Sequence, residues 1–265
     1  MPTERILFLG DVCAEPGREA VKTLLPVLRA ELKPGFCIVN GENAAGGYGI
    51  TPRLAEELFK AGADCITTGD HCFDRKEVWE FLNTEPRILR PLNFPPEAPG
   101  RGWSIFDLHT NTQKIVVINL LGRVFMKPVD CPFRHIKSLL NEIQPLTPLR
   151  IVDFHAEATA EKQALGWFLD GRVSAVIGTH THIQTADERI LPRGTACITD
   201  AGMCGAFDSV LGMRKDLSLR RLIEMVPVRL QPATADIRIN GVLLDLDAET
   251  GQAVRIERLV MPLNK

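Results

Sequence analysis

The sequence predicts an α/β fold. Short apolar runs, most of them rich in Val and Ile, alternate with helix-length segments through most of the chain, the pattern of a mainly parallel or mixed sheet covered by helices. Polar residues repeatedly follow the apolar runs instead of interrupting them, and 45% hydrophobic content over 265 residues is ample for a buried core.

Taken in order, the expected strands are Arg5 to Leu9, Phe36 to Asn40, Cys65 to Thr68, Lys114 to Leu120, Arg150 to Phe154, Val173 to Ile177 and Ala196 to Thr199. Helices are expected over Gly17 to Leu32, closed by Lys33-Pro34-Gly35, and over Pro52 to Ala61, with Thr51 as N-cap and Pro at the first helical position. Further helices are expected over Arg75 to Leu82, Arg134 to Ile143 and Ala158 to Leu169. The Pro-rich stretch from Arg90 to Gly100 is too short for an interdomain tether and reads as a rigid surface loop. Val228 to Leu230, Ile237 to Leu246 and Ala253 to Val260 suggest an antiparallel ending, with turn-like Asn240-Gly241 and Thr250-Gly251 between strands. Without an interdomain tether residues 1–265 are read as a single domain, and no internal repeat or low-complexity segment indicates a solenoid or a disordered tail.

A formal charge of -2 gives no global basic field, so neither RNA nor a membrane is indicated as a partner. The apolar start is too short for a signal segment, and no run approaches a membrane span, which places the protein in the cytoplasm. Seven scattered cysteines without a Cys-x-x-Cys pair argue against a disulfide framework and against a thiolate zinc site. Cys37, Cys65 and Cys197 lie in expected strands and read as small buried hydrophobes. Cys13 and Cys72 flank suspected metal ligands, where a redox role would require thiolate character.

The informative pattern is at the strand ends. Asp11 follows ILFLG, Glu42 and Asn43 follow CIVNG, Asp70 and His71 follow CITTG, His155 follows IVDF, and His180 and His182 follow AVIGT. The carboxyl ends of strands line the ligand crevice in open α/β sheets, so these residues are expected to converge. Gly10, Gly41, Gly69 and Gly178 let the chain turn off the strands. Four of the six histidines belong to this set, whereas His109 and His135 read as ordinary polar residues. Carboxylates with imidazoles suit Mn, Fe, Zn or Ni. The donors exceed the needs of one ion, which points to two ions about 3.5–4 Å apart, an arrangement that clamps a phosphoryl group and generates a hydroxide nucleophile. His180-Thr181-His182, read as extended, would send both imidazoles to the same side. Because imidazole ligands must be neutral, activity is expected to fail below about pH 6.

With RILFLGDVCAEPGR, IVNGENAAGGYGIT, GADCITTGDHCFDRKEV, RPLNFP, INLLGRVFM, VDFHAEATAEKQALGW, VIGTHTHIQTADERILPRGTACITDAGM and GVLLDLD, the chain resembles, over nearly its whole length, the bacterial YmdB-like branch of the calcineurin-type metallophosphoesterases. Asp11-Val12-Cys13 and Glu42-Asn43 replace the Asp-x-His opening and bridging Asp of the wider superfamily. The resemblance implies a four-layer αββα sandwich with mixed sheets and a dinuclear centre holding divalent or mixed-valence ions. Fe or Mn come first, with Zn, Mg or Ni as alternatives. It implies that Glu42 bridges both ions, that Asp11, Asn43 and His182 complete one, and that Asp70, His155 and His180 complete the other. His71 would be the catalytic group beside the cleft, protonating the leaving oxygen or stabilising phosphorane charge. The implied activity is hydrolysis of small phosphodiesters such as cyclic nucleotides by a homo-oligomer.

One position departs from the branch: Asp70-His71 stands where Asn-His is usual. A third carboxylate is expected to retain metal more tightly and to acidify a bound water less. Arg123 could add positive charge for the phosphate, although a surface arginine explains it equally well. Two rival functions remain open from residues alone: a regulatory nucleotide- or RNA-binding protein with little turnover, and a nucleotide phosphomonoesterase.

Overall fold

The computed structural model describes residues 3–110 and 113–263. Among these the strands are β1 (Thr3–Leu9), β2 (Asp11–Val12), β3 (Phe36–Asn40), β4 (Cys65–Thr67), β5 (Ile88–Leu89), β6 (Trp103–Asp107), β7 (Lys114–Leu121), β8 (Arg150–His155), β9 (Ala175–Thr179), β10 (Arg189–Ile190), β11 (Ala196–Ile198), β12 (Met203–Ala206), β13 (Ile237–Asp247) and β14 (Ala253–Pro262). The helices are α1 (Ala14–Leu32), α2 (Pro52–Ala61), α3 (Val78–Thr84), α4 (Pro132–Ile143), α5 (Thr159–Leu169) and α6 (Lys215–Glu224). Thr51 caps α2, its hydroxyl accepting the Leu54 N–H, and Lys33 closes α1 in the left-handed conformation.

The strands form two mixed sheets. One is eight-stranded, ordered β2-β12-β13-β1-β3-β4-β5 with β14 on β13; the other is six-stranded, ordered β10-β11-β9-β8-β7-β6. β1, β3, β4 and β5 run parallel, as do β7, β8, β9 and β11, and antiparallel strands flank both groups.

Alternation of side chains along each strand explains the layering. Ile6, Phe8 and Ile38 of the first sheet meet Ile115, Val117, Ile151 and Ile177 of the second in a central core. Their neighbours Leu7, Leu9 and Val39 face outward onto α1 and α2 through Val21, Leu25, Leu54 and Leu58. Val116, Ile118 and Val152 face the opposite way, onto Ile136 and Leu140 of α4 and Leu165 and Leu169 of α5. The architecture is therefore four layers, helix, sheet, sheet, helix. Strands buried on both faces read as continuous apolar runs.

Several boundaries differ from the sequence reading. Asn240-Gly241 is not a turn: both residues lie inside β13, paired with Val260 and Leu259 of β14. Gly241 is needed for close approach, since a Cβ there would lie 2.3 Å from the Phe8 carbonyl oxygen. Thr250-Gly251 does turn, with Gly251 at φ 74° and its N–H bonded to the Asp247 carbonyl. Val228 to Leu230 forms no strand. The Pro-rich loop has an exposed tip, but Asn93 is buried and exchanges hydrogen bonds with Leu121. Helix α6 escapes the periodicity argument because only Ser218 on it is buried, while Leu219, Leu222 and Ile223 are exposed.

Candidate metal centre

The carboxyl ends of β1, β3, β4, β8 and β9 bring the expected donors to one pocket. Asp70 Oδ1 lies 3.4 Å from His155 Nε2 and 3.7 Å from His180 Nδ1, and the two imidazoles approach to 3.1 Å. Suitable donor atoms of these three side chains all fall within 4.8 Å of one another. Glu42 Oε1 is 3.9 Å from His155 Nε2, and Asn43 Oδ1 is 3.1 Å from His182 Nε2. Asp11 is fully buried beside them, its Oδ2 accepting the His180 N–H at 3.1 Å and its Oδ1 lying 3.6 Å from His155 Nδ1.

Each histidine has one ring nitrogen occupied elsewhere. His155 Nδ1 pairs with the Thr179 hydroxyl at 3.0 Å, His180 Nε2 with Glu157 at 3.2 Å, and His182 Nδ1 with the Leu211 carbonyl at 3.3 Å. The other nitrogen of each meets its neighbours in the pocket. Holding one nitrogen and presenting the second is how proteins orient imidazole ligands. The carboxylates tell the same story: Asp11 Oδ1 and Asp70 Oδ1 are buried without a hydrogen-bond partner. Burial, with repulsion from Asp200, pushes the Asp11 carboxyl up to about 8, and burial with repulsion from Asp70 pushes Glu42 well above its ordinary value. Burial also opposes ionisation of Asp70, but its close approach to His155 and attraction to the nearby imidazoles outweigh this and hold it below the carboxylate range. Buried anionic oxygens with no donor call for cations, so the donor set fits metal ions.

The His180-Thr181-His182 segment is not extended. β9 ends at Thr179, and His180 and His182 adopt φ of 97° and 64°. Left-handed backbone at two non-glycine residues stores strain of order 1–3 kcal/mol each. The two rings take different partners, His155 and Asn43, instead of sharing a side by alternation.

His71 stands at the rim, its ring partly exposed. Its Nδ1 is 2.7 Å from Asp74 Oδ2 and its Nε2 is 3.8 Å from Asp70 Oδ2, while the Tyr48 ring stands edge-on 5.0 Å away. The His71 and Gly69 N–H groups both donate to the Glu42 carboxylate. Among the described residues the Arg123 side chain pairs with no acidic group, and its backbone N–H bonds to Glu161. His109 and His135 pair with Asp64 and Asp130 as ordinary polar residues. Cys13 and Cys72 are buried with thiols pushed up by burial, Cys13 to about 12, so they lack the thiolate character a redox role needs. Cys37 and Cys65 are buried as expected, whereas Cys197 is only half-buried.

Sequence reasoning missed four polar residues around the pocket. Asp153 accepts from Asn40, Thr67 and Thr179, joining the two sheets beneath the site. Asp200 and Lys162 form a buried pair at 2.8 Å, and Glu157 meets His180. An acidic residue inside the apolar run IVDF was the available signal for Asp153.

A two-sheet sandwich with carboxylate, amide and imidazole donors at its strand ends defines the metallophosphoesterase class. Its sheets match the crystal structure of 5'-nucleotidase from Candida albicans SC5314 at TM-score 0.62, over 98% of this chain and 51% of that one; at 12% identity this is a likeness of fold alone. The chain belongs to the YmdB-like protein family, whose model matches residues 7–259. It is 49% identical over 257 residues to the 2',3'-cyclic-nucleotide 2'-phosphodiesterase of Bacillus subtilis (strain 168), covering 97% of both chains. A crystal structure of a novel phosphatase from Mycoplasma pneumoniae superposes at TM-score 0.92 with 34% identity, covering 99% of this chain and 94% of that one.

Proposed function

We propose that this chain is a dinuclear metal-dependent phosphodiesterase acting on 2',3'-cyclic nucleotides or similar small phosphodiesters. The observation that carries the reading is the set of three histidines, each with one nitrogen held by the protein and the other turned to a pocket of buried carboxylate oxygens. The curated Bacillus relative supports the substrate class. In this reading Glu42 is the shared ligand, Asp11, Asn43 and His182 belong to one ion, and Asp70, His155 and His180 belong to the other. Fe or Mn, the ions the family resemblance implies, are compatible with these donors. When bound, such ions polarise phosphoryl oxygens and lower the pKa of a coordinated water. Asp74 holds His71 Nδ1, which leaves Nε2 to deliver a proton to the leaving oxygen.

The test is purified protein, with and without Mn²⁺, on a 2',3'-cyclic nucleotide, a chromogenic diester and the matching monoester. Metal-dependent cleavage of the diesters is expected. Binding without product would favour a regulatory role, and preference for the monoester would make it a phosphomonoesterase.

Asp70→Asn, which restores the branch's usual residue, is expected to weaken Mn²⁺ retention and to shift the activity profile toward lower pH while preserving turnover. A gain of several orders of magnitude would mean that the native centre is crippled, against this proposal.

The acid limit of activity moves below the pH 6 expected from an unperturbed imidazole. Burial pushes His155 down to about 3 and lowers His180 and His182. A lowered imidazole stays neutral as pH falls, and bound metal competes with protons in the same direction. A pH–rate profile at saturating Mn²⁺ checks this, and an acid limb centred at or above pH 6 contradicts it.

Residues 1–265 act as one domain in this reading, supported by β13 and β14 completing the sheet that begins with β1. A cytoplasmic location is supported by the seven free cysteines, and no described helix is long and apolar enough to cross a membrane. The homo-oligomer is supported by α6: a ten-residue helix burying one residue is too short to persist alone in water. Sedimentation is expected to show an oligomer that Leu222→Glu weakens, and a monomeric wild type would contradict this.

A further inference from the structure

We propose that the buried Lys162–Asp200 pair is the positioning device for the His180-Thr181-His182 turn, with Asp200 acting through Thr181 and not as a metal ligand. The inference rests on the metal reading above and adds what holds two of its ligands in place.

Asp200 is fully buried and Lys162 nearly so. Asp200 Oδ2 accepts from Lys162 Nζ at 2.8 Å, the Thr181 N–H at 3.0 Å and the Thr181 hydroxyl at 2.6 Å, and Oδ1 accepts the Gly202 N–H at 2.8 Å. A carboxylate offers about four acceptor positions. Asp200 carries four such bonds, three on Oδ2 and one on Oδ1, whereas the buried oxygens Asp11 Oδ1 and Asp70 Oδ1 accept no hydrogen bond. The difference separates a carboxylate that organises protein from carboxylates that await a cation.

The same residue brackets the turn further along. Its backbone N–H donates to the Thr185 hydroxyl at 2.9 Å, and its carbonyl accepts the Thr185 N–H at 3.1 Å. Thr181 therefore sits between two ligands in left-handed conformations with both of its donors on one carboxylate. Lys162, carried by α5 in the outer helical layer, balances the buried charge and ties the turn to that layer. Remove the hydroxyl, and the turn retains its fold but loses one of the two bonds that set the angle between His180 and His182.

The experiment compares Thr181→Val, which deletes the hydroxyl at near-equal size, with Thr181→Ser, which keeps it. Mn²⁺ binding to the metal-stripped full-length protein is measured by calorimetry, alongside the thermal midpoint of the metal-free form. Thr181→Val is expected to bind Mn²⁺ about 10–100-fold more weakly, as for loss of an orienting partner, and Thr181→Ser to recover most of that affinity. The metal-free midpoints of the two variants should lie within about 4 °C of each other. Wild-type affinity in Thr181→Val, or equal weakening in both variants, overturns the proposal. A wild-type protein that binds no Mn²⁺ would instead overturn the metal reading on which it depends.

Discussion

His180→Gly is expected to lose more than about 100-fold in diesterase activity, beyond the 10–100-fold cost of an outer partner, and at the same time to become more stable. The loss follows from removing a donor that meets both His155 and Asp70 in the pocket. The gain follows from the backbone: at φ 97° a side chain is strained, and glycine is not. Relief of about 1–3 kcal/mol, less about 0.5–1 kcal/mol for glycine's extra freedom in the unfolded chain, leaves a net gain of about 1 kcal/mol. The backbone N–H that donates to Asp11 survives the change. Urea unfolding of the metal-free protein and turnover with Mn²⁺ measure the two halves. Lower stability in the variant would show that the turn is not strained, and retained activity would remove His180 from the centre.

Gly69→Ala is expected to abolish activity from the opposite wall. A Cβ on Gly69 would lie 2.2 Å from His155 Cδ2, 2.4 Å from Nε2 and 2.5 Å from Cγ. The imidazole has little room to yield, because it is fully buried and its Nδ1 is held by Thr179. Moving the backbone instead would draw Gly69 N–H away from Glu42. Either response disturbs a donor, so activity should again fall more than about 100-fold, with overpacking costing about 1–3 kcal/mol of stability. Turnover and metal content of the purified variant check this, and near-normal values for both would mean the His155 ring is free to move.

Most of the candidate site was legible because its residues share a simple signal, a polar group directly after an apolar run. That signal holds for Asp11, Glu42, Asn43, Asp70 and His155, each at or just past a strand end. It failed for the His-x-His segment, where alternation was assumed and the chain instead turns through two left-handed residues. It is absent for Lys162, inside α5, and it does not set apart Asp200, which follows the expected strand Ala196 to Thr199 yet pairs with Lys162 across 38 positions. The fold was legible where a strand is buried on both faces, as in β3 and β8, and illegible where an element is defined by its neighbours. β12, built of Met203, Cys204, Gly205 and Ala206, is a strand because β2 and β13 pair with it.

The sequence by itself determined the fold class and the kinds of atom that gather at the strand ends, because the spacing of apolar runs and residue chemistry are local properties. Only the tertiary structure decided which nitrogen of each histidine is held, which carboxylate oxygens remain without donors and which carboxylate is bound by protein groups instead. Those outcomes depend on hydrogen bonds between residues far apart in the chain, and no local pattern records them.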